Sequence, residues 1–287
     1  MPHSEVVDSH IHLWDQKHTP QPWMTQEHAP INRPFGPDDI VPLLDRNGIS
    51  RVVVVQGACL DSDTDYLIEE ASRSPWIAAV TGWVSLTEPE RAAARIDELS
   101  LSPKFRAVRH STQDEPDHWL LRAPVLASLA ILEERDLILE LPLVWPRHFD
   151  DVLLVTERFP QLRIVIDHLG KPPIGNPDMR QWQTALAAIA GSEKVFAKVS
   201  GLNTAILKRD WTADDLKPAV EAGLDCFGAA RLLCGSDWPY SLLNGEFDRV
   251  WGLTAKVLVE TSPADADALL GGNASRLYRL QEYPGTS

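Results

Sequence analysis

"VVDSHIHLWD", residues 6–15, is a short apolar run that ends in two histidines one residue apart. A strand puts residues i and i+2 on the same face, so His10 and His12 share a direction. Seven further runs resemble it: "RVVVVQG" (51–57), "IAAVTGWV" (77–84), "FRAVRH" (105–110), "LILELPL" (137–143), "RIVIDHLG" (163–170), "VFAKVSG" (195–201) and "RLLCGSD" (231–237). Most are short and rich in Val, Ile and Leu, as strands covered on both faces are. Helix-like stretches separate them. "PDDIVPLLDRNG" begins with acids and stops at Gly48, and "DTDYLIEEASRSP" stops before Pro75. Eight strand–helix units predict an α/β fold, the (β/α)8 TIM barrel. The alternation excludes a β-sandwich or a helical bundle. No linker, repeat or low-complexity segment interrupts it, so residues 1–287 read as a single domain. The closing stretch "SPADADALLGGNASRLYRL" predicts two helical pieces broken at Gly271-Gly272.

Bulk properties narrow the function. The formal charge is −14, with no Lys/Arg cluster to override it, which argues against nucleic acid as a partner. Three cysteines, Cys59, Cys226 and Cys234, form no C-x-x-C pair and suit a reduced, cytoplasmic setting. The first residues lack the basic and apolar regions of a signal peptide. No apolar run approaches the ~18–20 residues needed to span a membrane. The sequence also lacks a GxSxG elbow, a Walker loop and a strand-then-GxGxxG unit, which removes support for serine esterases and nucleotide enzymes.

In such a barrel, functional groups collect where strands end. Strand one ends in His10 and His12, strand four in Arg109 and His110, strand six in Asp167 and His168, and strand eight in Asp237. An inward HxH pair can bind one cation through two imidazole nitrogens; the same pair also suits a structural hydrogen-bond role. Asp237, in "CGSDWP", can ligate a metal or take a proton from water, and Asp also suits a helix N-cap. His168 can polarise a carbonyl, bind metal, bond substrate or simply sit satisfied in the core. Arg109 and His110 are adjacent, so at most one points inward, and Arg109 suits either substrate oxygens or an ion pair. Glu140 and Lys198 interrupt apolar strands and need partners if buried. The long segment 13–36, with four prolines, reads as a substrate wall or lid. Its His18 and His28 are within reach of a substrate, whereas His3, His118 and His148 read as solvated. Trp14, Trp23 and Trp238 suit sugar stacking, or equally core packing.

"VDSHIHLWD", "VRHSTQDEPDHWLLR", "FPQLRIVIDHLGKPPI", "KVSGL", "LLCGSDWP" and "LGGNASRLY" together resemble the amidohydrolase superfamily. Within it they resemble the amidohydrolase-2 branch of L-fuconolactonase-like and L-rhamnonolactonase-like sugar lactonases, related to 2-pyrone-4,6-dicarboxylate lactonase. The resemblance runs from about Val6 to Leu280. It implies the barrel, hydrolysis of a lactone ester, and site positions at His10, His12, His168 and Asp237. The strand-five histidine of many superfamily members has no counterpart in "LILELPL", so a binuclear centre is not implied. One divalent, Zn²⁺-like ion on His10, His12 and Asp237 fits, and so does a metal-free site.

The expected chemistry has Asp237 as general base on water, with His10, His12 and His168 polarising the carbonyl. Arg109, His110, Lys198, Trp14 and Trp238 are the expected substrate-binding residues. Few strand-end arginines favour a neutral aldonolactone, fucono- or rhamnono-, over a pyrone dicarboxylate. A related metal-dependent decarboxylase and a non-catalytic sugar-binding barrel are the alternatives, and a homo-oligomer is compatible with the sequence.

Overall fold

The computed structural model describes residues 5–280; His3 lies outside them. Eight parallel strands follow in chain order: β1 (Val7–Ile11), β2 (Arg51–Val55), β3 (Ile77–Gly82), β4 (Phe105–Arg109), β5 (Ile138–Leu141), β6 (Arg163–Ile166), β7 (Val195–Val199) and β8 (Leu232–Cys234). Each pairs with the next. The first and last meet just beyond β8, where a parallel bridge joins Ile11 to Trp238. The Asp237 amide donates to the His10 carbonyl (2.8 Å), and the His12 amide donates to that of Trp238 (2.6 Å). The result is the (β/α)8 barrel that the alternation predicts.

Helices α1 (Pro37–Arg46), α2 (Asp61–Arg73), α3 (Pro89–Leu99), α4 (Ala123–Glu134), α5 (Phe149–Arg158), α6 (Met179–Ala190), α7 (Ala213–Phe227) and α8 (Phe247–Thr261) follow the eight strands in turn. Alternation along each strand creates two cores. One face, including Val52, Val54, Val80, Leu139, Ile164 and Ile166, packs under the helices. The other, including Val53, Val55, Ala79, Ala107, Ile138, Val165 and Leu233, fills the barrel. Burying each such Val, Ile or Leu side chain contributes about 1.5–3 kcal/mol.

The inner face changes character along the strands. Two residues past the apolar layer come Thr81, Arg109, Glu140, Asp167 and Lys198, all buried. At the opposite end, α9 (Asn273–Leu277) and Tyr278 pack onto the apolar layer, and Arg106 and Arg163 donate to the carbonyls of Tyr278 and Leu277. The predicted break at Gly271-Gly272 does not occur: Ala268–Gly272 form a π-turn that runs directly into α9. The glycine serves proximity instead, because a Cβ on Gly271 would overlap the Glu5 carbonyl oxygen.

The segment 13–36 folds over the strand ends. Trp14 and Phe35 bridge antiparallel, and a 3-10 turn spans Gln26–Ile31. Gln21 ties it to α2 by donating to Asp63 (3.0 Å), and accepts from Trp23 Nε1 (2.9 Å).

Candidate active site

At the C-terminal ends of the strands lies a cleft of about 240 Å³. His12, Arg109, His168 and Asp237 line it, with Trp14 and Trp23 from the 13–36 segment. His10 sits just beneath, fully buried.

The backbone is bent to deliver these groups. His168, Leu169, Gly170 and Lys171 have φ of 55°, 52°, 69° and 58°, a short left-handed turn. Each non-glycine residue there costs roughly 1–2 kcal/mol. The Trp182 indole, donating to the Leu169 carbonyl (3.1 Å), and the Lys171 amide, donating to that of His168 (2.9 Å), hold the turn. Its effect is to bring His168 and Lys171 to the same cleft. Asp237 is also left-handed (φ 59°), a conformation Asp tolerates better than most residues. Gly201 (φ 60°) packs against both: a Cβ there would overlap Asp237 Oδ2 and lie 3.0 Å from His168 Nδ1.

Hydrogen bonding fixes where the imidazole protons lie. His12 Nδ1 is 2.8 Å from the Val55 carbonyl, which can only accept, so Nδ1 carries the hydrogen and Nε2 a lone pair. His168 Nδ1 is 3.1 Å from the Ser200 carbonyl and 3.0 Å from its hydroxyl, with the same consequence. Burial holds both His10 and His168 below the usual imidazole range. His10 Nε2 lies 3.2 Å from His12 Nε2 and 3.5 Å from Asp237 Oδ1, and His12 Nε2 lies 3.3 Å from that oxygen. Burial pushes the Asp237 carboxyl up, but the imidazoles of His168, His12 and His10 outweigh it and hold Asp237 well below the usual carboxylate range.

Electron-pair donors thus converge within a few ångströms, an arrangement suited to hold a cation between them. Donor atoms of His10, His168 and Asp237 fall within 4.8 Å of one another. Two or three imidazoles and a carboxylate form a donor set for one divalent ion of the zinc type. His168 stands with His10 and Asp237 in that group, while His12, expected beside them, lies 3.2 Å from His10 and 3.3 Å from Asp237.

The amidohydrolase profile matches residues 7–280. The chain belongs to the amidohydrolase family. This amidohydrolase is 38% identical to an L-fucono-1,5-lactonase of Burkholderia ambifaria, over 97% of each chain. It is 34% identical to an L-fucono-1,5-lactonase of Burkholderia multivorans, over 96% of each. A crystal structure of an amidohydrolase from Burkholderia multivorans with bound zinc superposes with a TM-score of 0.89 at 33% identity, covering 96% of this chain and all of the other.

The other expected site residues fall in different places. Arg109 reaches the cleft, but its Nε donates to Asp167 Oδ2 (2.8 Å) and its Nη1 to the Gln56 carbonyl (3.2 Å). Lys198 is not a substrate contact. It is fully buried below the cleft and donates to Glu140 Oε2 at 2.5 Å. Glu140 is consumed in the same place, accepting also from Thr81 (2.7 Å) and Tyr278 (2.6 Å). His110 turns away from the cleft beyond the strand end. Its ring stacks on Trp119 (4.1 Å), accepts from Trp83 and bonds Glu115, so it anchors the loop that carries Ser111 and Asp114. Trp238 packs edge-on against Phe35 (5.2 Å) and does not line the cleft, whereas Trp14 does. His28 packs on Trp23, and His18 pairs with Asp15; neither lines the cleft.

Several contributors escape a sequence reading. Lys171 lines the cleft and donates to Gln113, yet three residues after His168 nothing in the sequence announces a left-handed turn. Tyr240 completes the aromatic wall with Trp23 (5.9 Å). Asp167 was visible as a strand-end acid, but only the fold shows it pointing below the cleft while His168 points into it.

Proposed function

We propose that this amidohydrolase opens the ring of a sugar lactone, an L-fucono-1,5-lactone or a close aldonolactone, with Asp237 as general base on water. The observation that supports this most is Asp237 itself. It is a buried, ionised carboxylate in left-handed backbone, beside three imidazoles, at the wall of a cleft of substrate size. The L-fucono-1,5-lactonases among its relatives supply the substrate class. The cleft suits that substrate: Trp14, Trp23 and Tyr240 offer faces for sugar C–H groups, and Ser111, Gln113, Asp114 and Thr204 offer partners for hydroxyls. Its non-histidine cations are Arg109 and Lys171, and Arg109 is already tied to Asp167. That is little positive charge for a dicarboxylate.

Asp237 orients the water and accepts its proton as the new C–O bond forms. Ring opening returns that proton from Asp237 to the leaving ring oxygen, which departs as an alcohol. Lys171 and Arg109 offset negative charge growing on the carbonyl oxygen and then on the product carboxylate. When a divalent ion is held by His10, His12, His168 and Asp237, it supplies Lewis-acid stabilisation of that charge. The aromatic wall of the 13–36 segment excludes bulk water from the reacting bond. The −14 charge and the unpaired cysteines support a cytoplasmic enzyme of small molecules that does not bind nucleic acid. Among the described residues no helix is long and apolar enough to cross a membrane.

The test is acid release from fucono-, rhamnono-, galactono- and arabinonolactones in a pH-indicator assay. The expected result is turnover of at least one, lowered by about 10²–10⁴-fold in Asp237→Asn. Full activity in that variant would remove the base assignment, and no acid release from any lactone would remove the substrate class.

A further inference from the structure

A buried polar layer lies beneath the cleft. It contains two carboxylates, Glu140 and Asp167, and two cations, Arg109 and Lys198, all in contact. Buried ion pairs of this kind contribute little net stability compared with an apolar core. Their arrangement suggests another use. Asp167 Oδ2 is occupied by Arg109 Nε at 2.8 Å. Asp167 Oδ1 faces two groups, Lys198 Nζ and His10 Nδ1, each at 3.4 Å. Among the described residues, neither His10 Nδ1 nor Asp167 Oδ1 has a hydrogen-bond partner, though both are fully buried. Two unpartnered buried polar atoms facing each other are a pair waiting to close.

We infer that Asp167, gripped by Arg109 and Lys198, is a positioning residue that keeps the His10 proton on Nδ1 and so leaves the Nε2 lone pair free for a cation held beside His12 and Asp237. A carboxylate can only accept, so the His10 nitrogen facing it must donate. The other ring nitrogen is then an electron-pair donor, as His12 and His168 are made to be by the Val55 and Ser200 carbonyls. Three imidazoles thus receive one instruction from three different acceptors. The charge on this one matters: an anionic partner on Nδ1 raises the electron-donating power of Nε2 more than a carbonyl does. Arg109 and Lys198 have a defined part in this. They keep Asp167 ionised and fixed in place, and Glu140, bonded by Thr81 and Tyr278, keeps Lys198 in place in turn. The consequence reaches from the C-terminal Tyr278 to the cleft through Glu140, Lys198, Asp167 and His10.

This inference does not depend on which ester is opened. Its first test is the His10 ring of the wild-type protein, followed by ¹⁵N-labelled imidazole NMR and assigned by loss of the signal in His10→Gln. The expected signature is a protonated Nδ1 and an unprotonated Nε2; a proton on Nε2 overturns the inference. The second is zinc affinity, measured by competition with a chromogenic chelator. Asp167→Asn and the charge-balanced Asp167→Asn/Lys198→Met are each expected to weaken zinc binding by about 10–100-fold. Both should also lose the single Nδ1–H signature of His10. A merely structural role would lower the melting temperature and leave the ring signature unchanged. A folded variant with wild-type zinc affinity and an unaltered His10 signature overturns the inference. If neither variant folds, the wild-type ring spectrum decides.

Discussion

Gly201→Ala removes no functional group, yet it is expected to disable the site. Gly201 has φ of 60°, where an alanine costs roughly 1–2 kcal/mol over glycine. The added methyl carbon would overlap Asp237 Oδ2 and lie 3.0 Å from Asp237 Cγ and 3.0 Å from His168 Nδ1. Carbon atoms pack at about 3.5–4.0 Å, so Asp237 and His168 must retreat by about 0.5–1 Å. Displacing a reacting group by about 1 Å costs on the order of 10²-fold in rate. The expected phenotype is therefore a fall in kcat of about 100-fold, with the melting temperature lowered by only about 2–8 °C. The assay is lactone hydrolysis beside a thermal melt. Gly36→Ala is the control, since a Cβ there meets nothing within 4 Å and its φ is −126°. Wild-type kcat in Gly201→Ala, or equal damage from Gly36→Ala, would refute the reasoning.

Two further outcomes concern the charges around the site. Lys198→Met leaves Glu140 and Asp167 buried without their shared cation, at a cost of about 3–5 kcal/mol in urea unfolding. Adding Glu140→Gln restores most of that, because the Gln amide oxygen still accepts from Thr81 and Tyr278; failure to recover would show that charge balance is not what Lys198 provides. Asp63, which holds Gln21 and so the aromatic wall, is pushed up to about 6 by burial, against the hydrogen bonds it accepts from Gln21, Gly57 and Ala58. The folded state therefore binds its proton more tightly than the unfolded state does, and stability falls as pH rises from about 4 through 6. Asp63→Asn does not titrate. The wild-type stability relative to that variant should thus drop by about 2 kcal/mol between about pH 4.5 and 7, read from urea midpoints at both; a constant difference would contradict the burial account.

The barrel was legible in the sequence because its signal is local. Each buried strand must be an apolar run, each helix needs its own start and stop, and eight alternations admit few architectures. The HxH of β1 and the Asp of "CGSD" were legible for a similar reason: polar residues at the ends of apolar strands mark the mouth of the barrel. What lies along the inner face was not. Lys198, Glu140 and Arg109 carry the same strand-interrupting signature as a substrate contact, and only the depth at which each strand enters the barrel separates a cleft residue from one beneath it. His110 turned away because Arg109 beside it faces the cleft, as alternation requires, and Trp238 because it lies four residues past the end of β8, where alternation no longer predicts direction. Lys171 entered the cleft through a left-handed turn: His and Gly tolerate that conformation, but Leu169 and Lys171 adopt it too, and their residue types do not announce it.

Chain order and residue type thus determined the fold, the mouth of the barrel and the kinds of group gathered there. The tertiary structure decided which of those groups face one another, which acceptors the His12 and His168 rings meet, and which charges lie below the cleft rather than in it. Those choices depend on distances of 3–4 Å between residues that lie tens to hundreds of positions apart, such as Asp237 and the β1 histidines. Nothing local in the chain encodes them until the barrel closes.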